Sequence, residues 1–220
     1  MAIAPADRAE AIVNKASEMV PALRERGAEA DRLRRIPDES VAEIRRSGLI
    51  RTLRPAHYGG YEQDYRTFAH VVRELGRGCA STGWCAASWL SQAMTLTMFG
   101  VEAQDEVCLA DPDAFIASQG VPSGKAEPVH GGWRLTGRWG FASGVHATSW
   151  MMAGAKAEGG AVLVLLVPTS DLEILDTWHS VGLRGTGSTD TVARDIFVPE
   201  YRAVDLATYL SGRPSAPFAA

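Results

Sequence analysis

The sequence has little or nothing of the features that define several classes of protein. It has only three cysteines among 220 residues, none of them in a CxxC spacing, and its five histidines include no HExxH motif. Zinc-finger, thioredoxin-like and metalloprotease sites therefore have no support, and we expect no metal site. The few cysteines fit a reducing, cytoplasmic location. The 22 glycines and 11 prolines are too few for a collagen-like or low-complexity chain.

Charge and hydropathy argue against two kinds of partner. The chain carries 22 lysines and arginines against 26 acidic residues, so it lacks the basic excess that draws proteins to nucleic acids or anionic lipids. No charged residue occurs from Gly78 to Val101, a run long enough for a membrane span. That run contains seven serine, threonine and glutamine residues, which favours a helix buried inside the protein. We expect neither a nucleic acid nor a membrane as partner.

The hydrophobic pattern changes near residue 110. Before it, apolar residues recur every three or four positions, as between Asp7 and Arg26, which is typical of amphipathic helices. After it, short alternating segments are separated by glycine turns such as Gly131-Gly132. The pattern predicts an α+β protein with an all-α domain over residues 1–110 and an antiparallel barrel or sandwich over 111–203. Residues 204–220 are predicted to be a linker.

Four motifs, in this order, resemble the acyl-CoA dehydrogenase superfamily. They are Pro55-Ala56-His57-Tyr58-Gly59-Gly60, Cys79-Ala80-Ser81-Thr82-Gly83-Trp84, Gly137-Arg138-Trp139-Gly140-Phe141-Ala142-Ser143-Gly144, and Gly182-Leu183-Arg184-Gly185-Thr186-Gly187-Ser188 with a downstream Val198-Pro199. Within the superfamily, the last two are more similar to the two-component flavin-dependent monooxygenases, or hydroxylases. The resemblance implies a helical domain followed by a small antiparallel β-barrel. It also implies a C-terminal four-helix domain, absent from this sequence, towards which residues 204–220 would lead.

The resemblance implies a flavin-dependent monooxygenase, present as a subunit or a fragment. Such proteins take reduced flavin, FMN or FAD, from a separate reductase. With O2, and through a C4a-hydroperoxyflavin, they oxygenate an aromatic or polycyclic small molecule. The resemblance further implies a homo-oligomer, which is a tetramer in the family, or a complementing chain. Two alternatives stay open, namely an acyl-CoA dehydrogenase and a flavin-free binding or assembly module of the same fold.

Five candidate cofactor residues follow from the resemblance. Ser143, the candidate catalytic residue, matches the position whose hydroxyl or backbone faces flavin N5, and Ser118 matches a hydroxyl near the pyrimidine edge. Trp139 and Phe141 would wall the flavin ring, and Ser188 lies in a turn near the flavin and substrate entrance. From the residues alone, Ser143 and Ser118 could instead be turn residues that bond their own backbone. The two aromatics could equally be ordinary core.

Three further residues are candidate substrate contacts by the same resemblance. Trp84 matches one side of the substrate pocket of the hydroxylases, and His146 matches a position that borders the flavin, although it could also be an exposed loop residue. Gln92 stands where many hydroxylases have a histidine that acts as a base towards a phenol. Because an amide cannot take a proton, Gln92 favours oxygenation at a heteroatom or an activated carbon, or a non-catalytic role.

Overall fold

A computed structural model describes residues 5–215, and the predicted order of a helical region followed by strands is confirmed. The helical part contains α1 (Pro5–Glu18), α2 (Val20–Glu25), α3 (Gly27–Leu33), α4 (Asp38–Ser47), α5 (Tyr65–Gly78), α6 (Ala80–Thr95) and α7 (Val101–Ala110). The strands are β1 (Ile116–Val129), β2 (Gly132–Ala142), β3 (Trp150–Ala157), β4 (Val162–Pro168), β5 (Glu173–Leu175), β6 (Thr189–Pro199) and β7 (Ala203–Asp205). A short helix, α8 (Leu206–Leu210), follows β7.

Helix α6 accounts for the uncharged run in the sequence. One of its faces, which includes Cys85 and Trp89, is fully buried in the helical core. There the Trp89 ring stacks on Phe115, which immediately precedes β1, with 4.6 Å between ring centroids and an interplanar angle of 6°. The run therefore forms a helix as predicted, but only this face is buried, and Trp84 on the other side is 56% exposed. None of the helices described over residues 5–215 combines the length and hydropathy that a bilayer crossing needs.

The seven strands form one sheet in the order β5-β6-β2-β1-β3-β4-β7. Neighbouring strands are antiparallel except β1 and β3, which pair in parallel. The sequence predicts an antiparallel barrel, whereas the described residues form an open, mixed sheet. β1 and β2 form an antiparallel hairpin, and β3 pairs with the other edge of β1 in the same direction as β1, which makes the sheet mixed.

The junction between the two halves, residues 111–114, is held by three arginines. Arg51 binds Asp113 through two hydrogen bonds of 2.7 and 2.6 Å, and Arg45 binds Asp111 at 2.6 Å. Arg54 is fully buried, and its guanidinium donates to the backbone carbonyls of Pro112 and Ala114. Arginine side chains of the helical half thus hold the junction in place, in addition to the covalent backbone connection.

The segment predicted as a linker is described as far as Ser215, and residues 216–220 lie outside the described residues. It contains most of β7 and all of α8, and it packs on the helical half. Tyr209 donates its hydroxyl to Gln92 Oε1 at 3.3 Å, and the Ser215 amide donates to the Thr97 carbonyl at 2.9 Å. The domain boundaries at residues 110 and 203 stay predictions.

Candidate functional site

A groove of about 440 Å³ lies where α5 and α6 meet the ends of β1 and β2. None of the residues that line it is charged, and four of the eight are serines. The lining residues are Phe68, Trp84, Ala87, Ser88, Ser91, Ser118, Phe141 and Ser143. A concave, mostly apolar surface of this volume with a few hydroxyls is the usual form of a site for a small organic molecule.

The groove wall from the helical half is the second face of α6. Trp84, Ser88 and Ser91 are spaced by four and then three residues, so they lie on one side of the helix. The sequence interpretation singled out Trp84 and did not identify Ser88, Ser91 or Phe68 as site residues. The signal for the two serines was their helical spacing from Trp84. Phe68 carries no comparable signal because it fits the apolar stripe of α5.

Phe141 enters the groove through a β-bulge. Trp139 pairs with Thr191 and Ala142 with Thr189, so β2 has one residue more than β6 in this interval. Phe141 adopts a left-handed backbone with φ of 63° and leaves its side chain 71% exposed. Such a conformation costs about 1–3 kcal/mol for a residue other than glycine, and bulges often turn a side chain towards a site. The ring meets Trp178 edge to face, with 6.1 Å between ring centroids, and most of its surface stays open towards the groove.

Ser143 lies at the centre of a hydrogen-bonded group at the groove floor. Its hydroxyl accepts a hydrogen bond of 3.0 Å from the Trp84 indole nitrogen and lies 2.7 Å from the Ser188 hydroxyl. Its backbone amide donates to the Phe141 carbonyl at 2.9 Å. The side chain therefore bonds to other elements of the fold, and not to its own backbone as a turn serine would.

Gly144 sets the position of Ser143 relative to the helical core. Its φ is 69°, and its amide donates to the Thr186 carbonyl at 2.8 Å. That carbonyl also accepts a weak 3.5 Å bond from the Cys85 thiol, and burial raises the pKa of Cys85, so the thiol stays protonated. A Cβ on Gly144 would lie 2.7 Å from the Trp89 ring. The close approach of the backbone to Trp89 therefore requires glycine.

The predicted site residues are only partly brought together. Trp84, Ser118, Phe141 and Ser143 line the groove, and Ser118 is near the start of β1, where it pairs with Met152 of β3 and is not in a turn. Ser188 is 5% exposed and lies behind Ser143.

Three other predicted residues lie elsewhere, and each for a definite reason. Trp139 is fully buried in the sheet core, where its indole donates to the Gly154 carbonyl at 2.7 Å, because the bulge separates it from Phe141. The Gln92 Oε1 atom accepts hydrogen bonds from Thr95, at 2.6 Å, and from Tyr209 of α8, so its side chain is held by the protein itself. Trp139 and Gln92 are therefore not among the lining residues, and neither is His146.

His146 belongs to a second cavity, of about 240 Å³, between α4, Trp89 and the turn that follows Gly144. Its side chain is exposed at the rim. Partial desolvation of the ring there, together with the positive charge of Arg35, lowers the pKa of His146. The imidazole is consequently neutral at neutral pH, and it does not border the groove.

The groove residues fit an isoalloxazine ring. Trp84 is 56% exposed and Phe141 71% exposed, so a flat aromatic ligand would cover two large apolar side chains that the described residues leave open. Ser118 and Ser143 offer hydroxyls to the polar edge of such a ring, and no lining residue carries a charge that would oppose it.

Comparisons with known proteins identify relatives of this chain. Residues 7–111 match the family model of the acyl-CoA dehydrogenase N-terminal domain. The oxygenase subunit HsaA, a flavin-dependent monooxygenase of Rhodococcus jostii strain RHA1, is 38% identical over 190 residues, which are 84% of this chain and 50% of that protein. The oxygenase component of the FADH(2)-dependent resorcinol hydroxylase of Rhizobium sp. strain MTP-10005 is 35% identical over 206 residues, or 91% of this chain and 50% of that protein.

Solved structures show the same relationship. XiaF from Streptomyces sp., in complex with FADH2 and glycerol, superposes with a TM-score of 0.89 at 35% identity, over 93% of this chain and 53% of that one. The chain spans about half the length of the curated relatives it matches. On the evidence of its fold, its N-terminal domain and these relatives, the chain belongs to the acyl-CoA dehydrogenase superfamily, beside the oxygenase subunits of flavin-dependent monooxygenases.

Proposed function

We propose that this chain forms the helical and sheet part of the oxygenase component of a two-component flavin-dependent monooxygenase. It would take reduced FMN or FAD from a separate reductase and insert one atom of O2 into an aromatic or polycyclic molecule. The observation that carries the proposal is the uncharged groove with two exposed aromatic side chains above Ser143. The names of the relatives, which are flavin-dependent monooxygenases and hydroxylases, support it.

Each residue of the groove would have a different role towards the bound flavin. Bound reduced flavin supplies two electrons, so that one oxygen atom enters the substrate and the other leaves as water. Trp84 and Phe141 would hold the ring and exclude water from its faces, and Ser118 would bind its pyrimidine edge. Ser143 would hold the ring edge at N5 through its hydroxyl, since its backbone amide already donates to Phe141.

The groove also bears on the kind of substrate. None of the eight described lining residues titrates near neutral pH, and Gln92 is held by Thr95 and Tyr209. This half of the site therefore offers no base that could remove a phenolic proton. We accordingly propose a substrate that is oxygenated at a heteroatom or an already activated carbon.

We further propose the setting in which the protein works. The cysteines Cys79, Cys85 and Cys108 are all free thiols, which fits the reducing cytoplasm. Because Trp84 and Phe141 remain more than half exposed, we propose that the complete site is covered within a homo-oligomer or by a complementing chain.

The proposal is tested by flavin binding and by the origin of the inserted oxygen. Under anaerobic conditions the protein should bind reduced FMN or FAD, and the Ser143→Ala variant should bind it about tenfold more weakly, because one hydrogen bond is lost. With ¹⁸O₂ and a panel of bicyclic heteroaromatic compounds, one ¹⁸O atom should enter a product, as measured by mass spectrometry.

The matched control is Ser170→Ala, which removes an exposed serine from the turn after β4 and should change neither measurement. Failure of the unaltered protein to bind either reduced flavin would contradict the proposal. Flavin reoxidation that yields only hydrogen peroxide with every compound would contradict its monooxygenase part.

Replacing Phe141 by glycine should stabilise the protein and weaken its site at the same time. Glycine relieves the left-handed backbone, and little packing is lost because the side chain is 71% exposed. We expect the free energy of unfolding to rise by about 0.5–1 kcal/mol in urea titrations, while affinity for reduced flavin falls. Asp195→Gly is the control, since Asp195 also has a positive φ, of 56°, but lies outside the groove. It should stabilise the protein without affecting flavin.

A further inference from the structure

A chain of hydroxyl groups runs from the groove into the protein interior. The Trp84 indole nitrogen contacts Ser143 Oγ at 3.0 Å, and Ser143 Oγ lies 2.7 Å from Ser188 Oγ. Ser188 Oγ in turn lies 2.6 Å from Thr186 Oγ1, which is 2.9 Å from the Leu183 carbonyl oxygen. Thr186 is 1% exposed and Ser188 5% exposed, so water does not compete for these bonds.

The two ends of the chain fix the direction of every hydrogen in it. The carbonyl oxygen of Leu183 can only accept, so the hydrogen of that bond belongs to Thr186. A hydroxyl has one hydrogen, and therefore Ser188 must donate to Thr186, and Ser143 must donate to Ser188. At the other end, the Trp84 indole can only donate, which agrees with Ser143 as its acceptor.

Ser143 is consequently left without any hydrogen to offer a ligand. Its hydroxyl hydrogen points at Ser188, and its amide hydrogen is used by the Phe141 carbonyl. One lone pair of Oγ accepts from Trp84, and the second remains. Ser143 therefore presents the groove with a hydrogen-bond acceptor alone.

We propose that Thr186 and Ser188 are positioning residues that hold Ser143 as an acceptor and thereby make the groove select the reduced form of its flavin. The inference rests on the proposed function, in which Ser143 faces N5. Reduced flavin carries a hydrogen on N5, which can donate to Ser143. Oxidised flavin has a lone pair there, which would face the lone pair of Ser143.

A pair of variants at Thr186 separates this role from simple packing. Thr186→Val keeps the shape but removes the hydroxyl, so the chain can reverse and Ser143 can turn its hydrogen towards the groove. Thr186→Ser keeps the hydroxyl and hence the direction. Thr186 is not among the residues that line the groove, so neither variant removes a ligand contact.

The test is the ratio of the dissociation constants for oxidised and reduced FMN, measured anaerobically by equilibrium dialysis. We expect Thr186→Val to lower this ratio about tenfold, because a hydrogen bond replaces an unfavourable contact in the oxidised complex. The two-electron potential of bound FMN should fall correspondingly, by about 30 mV. Thr186→Ser should keep the ratio and potential of the unaltered protein.

Ser188→Ala provides a second, independent change, since it also frees the Ser143 hydroxyl and should lower the ratio in the same direction. Thermal unfolding identifies any variant that fails to fold. If both forms of FMN bind and neither Thr186→Val nor Ser188→Ala changes the ratio, the positioning role is overturned while the flavin site stands. If the unaltered protein binds neither form, the proposed function is overturned and this inference falls with it.

Discussion

Replacement of Arg54 by alanine is expected to lower the free energy of unfolding by about 4 kcal/mol, the largest effect of any single change proposed for this protein. Arg54 is fully buried, and its guanidinium donates to the carbonyls of Pro112 and Ala114 at the junction. Alanine would leave both carbonyls without their donor and open a cavity between the helical half and the sheet. Urea unfolding followed by circular dichroism measures the loss.

Arg46→Ala is the matched control for this change. Arg46 is an exposed arginine on α4, and its truncation should alter the free energy of unfolding by no more than about 0.5 kcal/mol. An Arg54→Ala variant as stable as Arg46→Ala would show that the junction does not depend on the buried guanidinium.

Replacing Gly144 by alanine is expected to lower the free energy of unfolding by about 3 kcal/mol and to weaken flavin binding as well. The left-handed backbone, with φ of 69°, accounts for about 1 kcal/mol. The rest, about 2 kcal/mol, comes from overlap with the Trp89 ring, 2.7 Å from the new Cβ. Trp89 cannot yield, because it is fully buried and stacked on Phe115. The turn would have to move, and Ser143 with it.

Gly159→Ala isolates the backbone part of that cost. Gly159 has a φ of 78°, and a Cβ there would meet nothing within 4 Å. The Gly159→Ala variant should lower the free energy of unfolding by only about 1 kcal/mol and leave flavin binding unchanged. Equal losses in the two variants would contradict the packing argument at Gly144.

The broad architecture could be predicted from the sequence because it depends on local periodicity. The predicted change from helices to strands near residue 110 is confirmed by the observed elements, although β3 and β4 are buried along most of their length and do not alternate. The parallel pairing of β1 with β3 could not be predicted in this way. It depends on the path that residues 143–149 take from β2 back to the free edge of β1, and no local periodicity encodes that path.

The site shows the same division between local and long-range information. Trp139 and Phe141 lie two residues apart, so simple alternation would place both on the same face of the strand. The bulge separates them, and only Phe141 reaches the groove. The motif resemblance named Ser143 and Ser188 as separate candidates from two different motifs, and their hydroxyl oxygens lie 2.7 Å apart. It could not show that Ser188 lies behind Ser143, because that contact joins the turn after β2 to the distant Thr186 turn.

Helix α6 has one further consequence, for how such a protein could change its ligand. The same helix packs Cys85 and Trp89 into the core and presents Trp84, Ser88 and Ser91 to the groove. A substitution deep in the interior that rotates or shifts this helix would widen or narrow the opposite wall, since protein interiors are too closely packed to absorb it locally. Selection for binding a new ligand can therefore act through substitutions in the buried core, while the residues that contact the ligand stay the same.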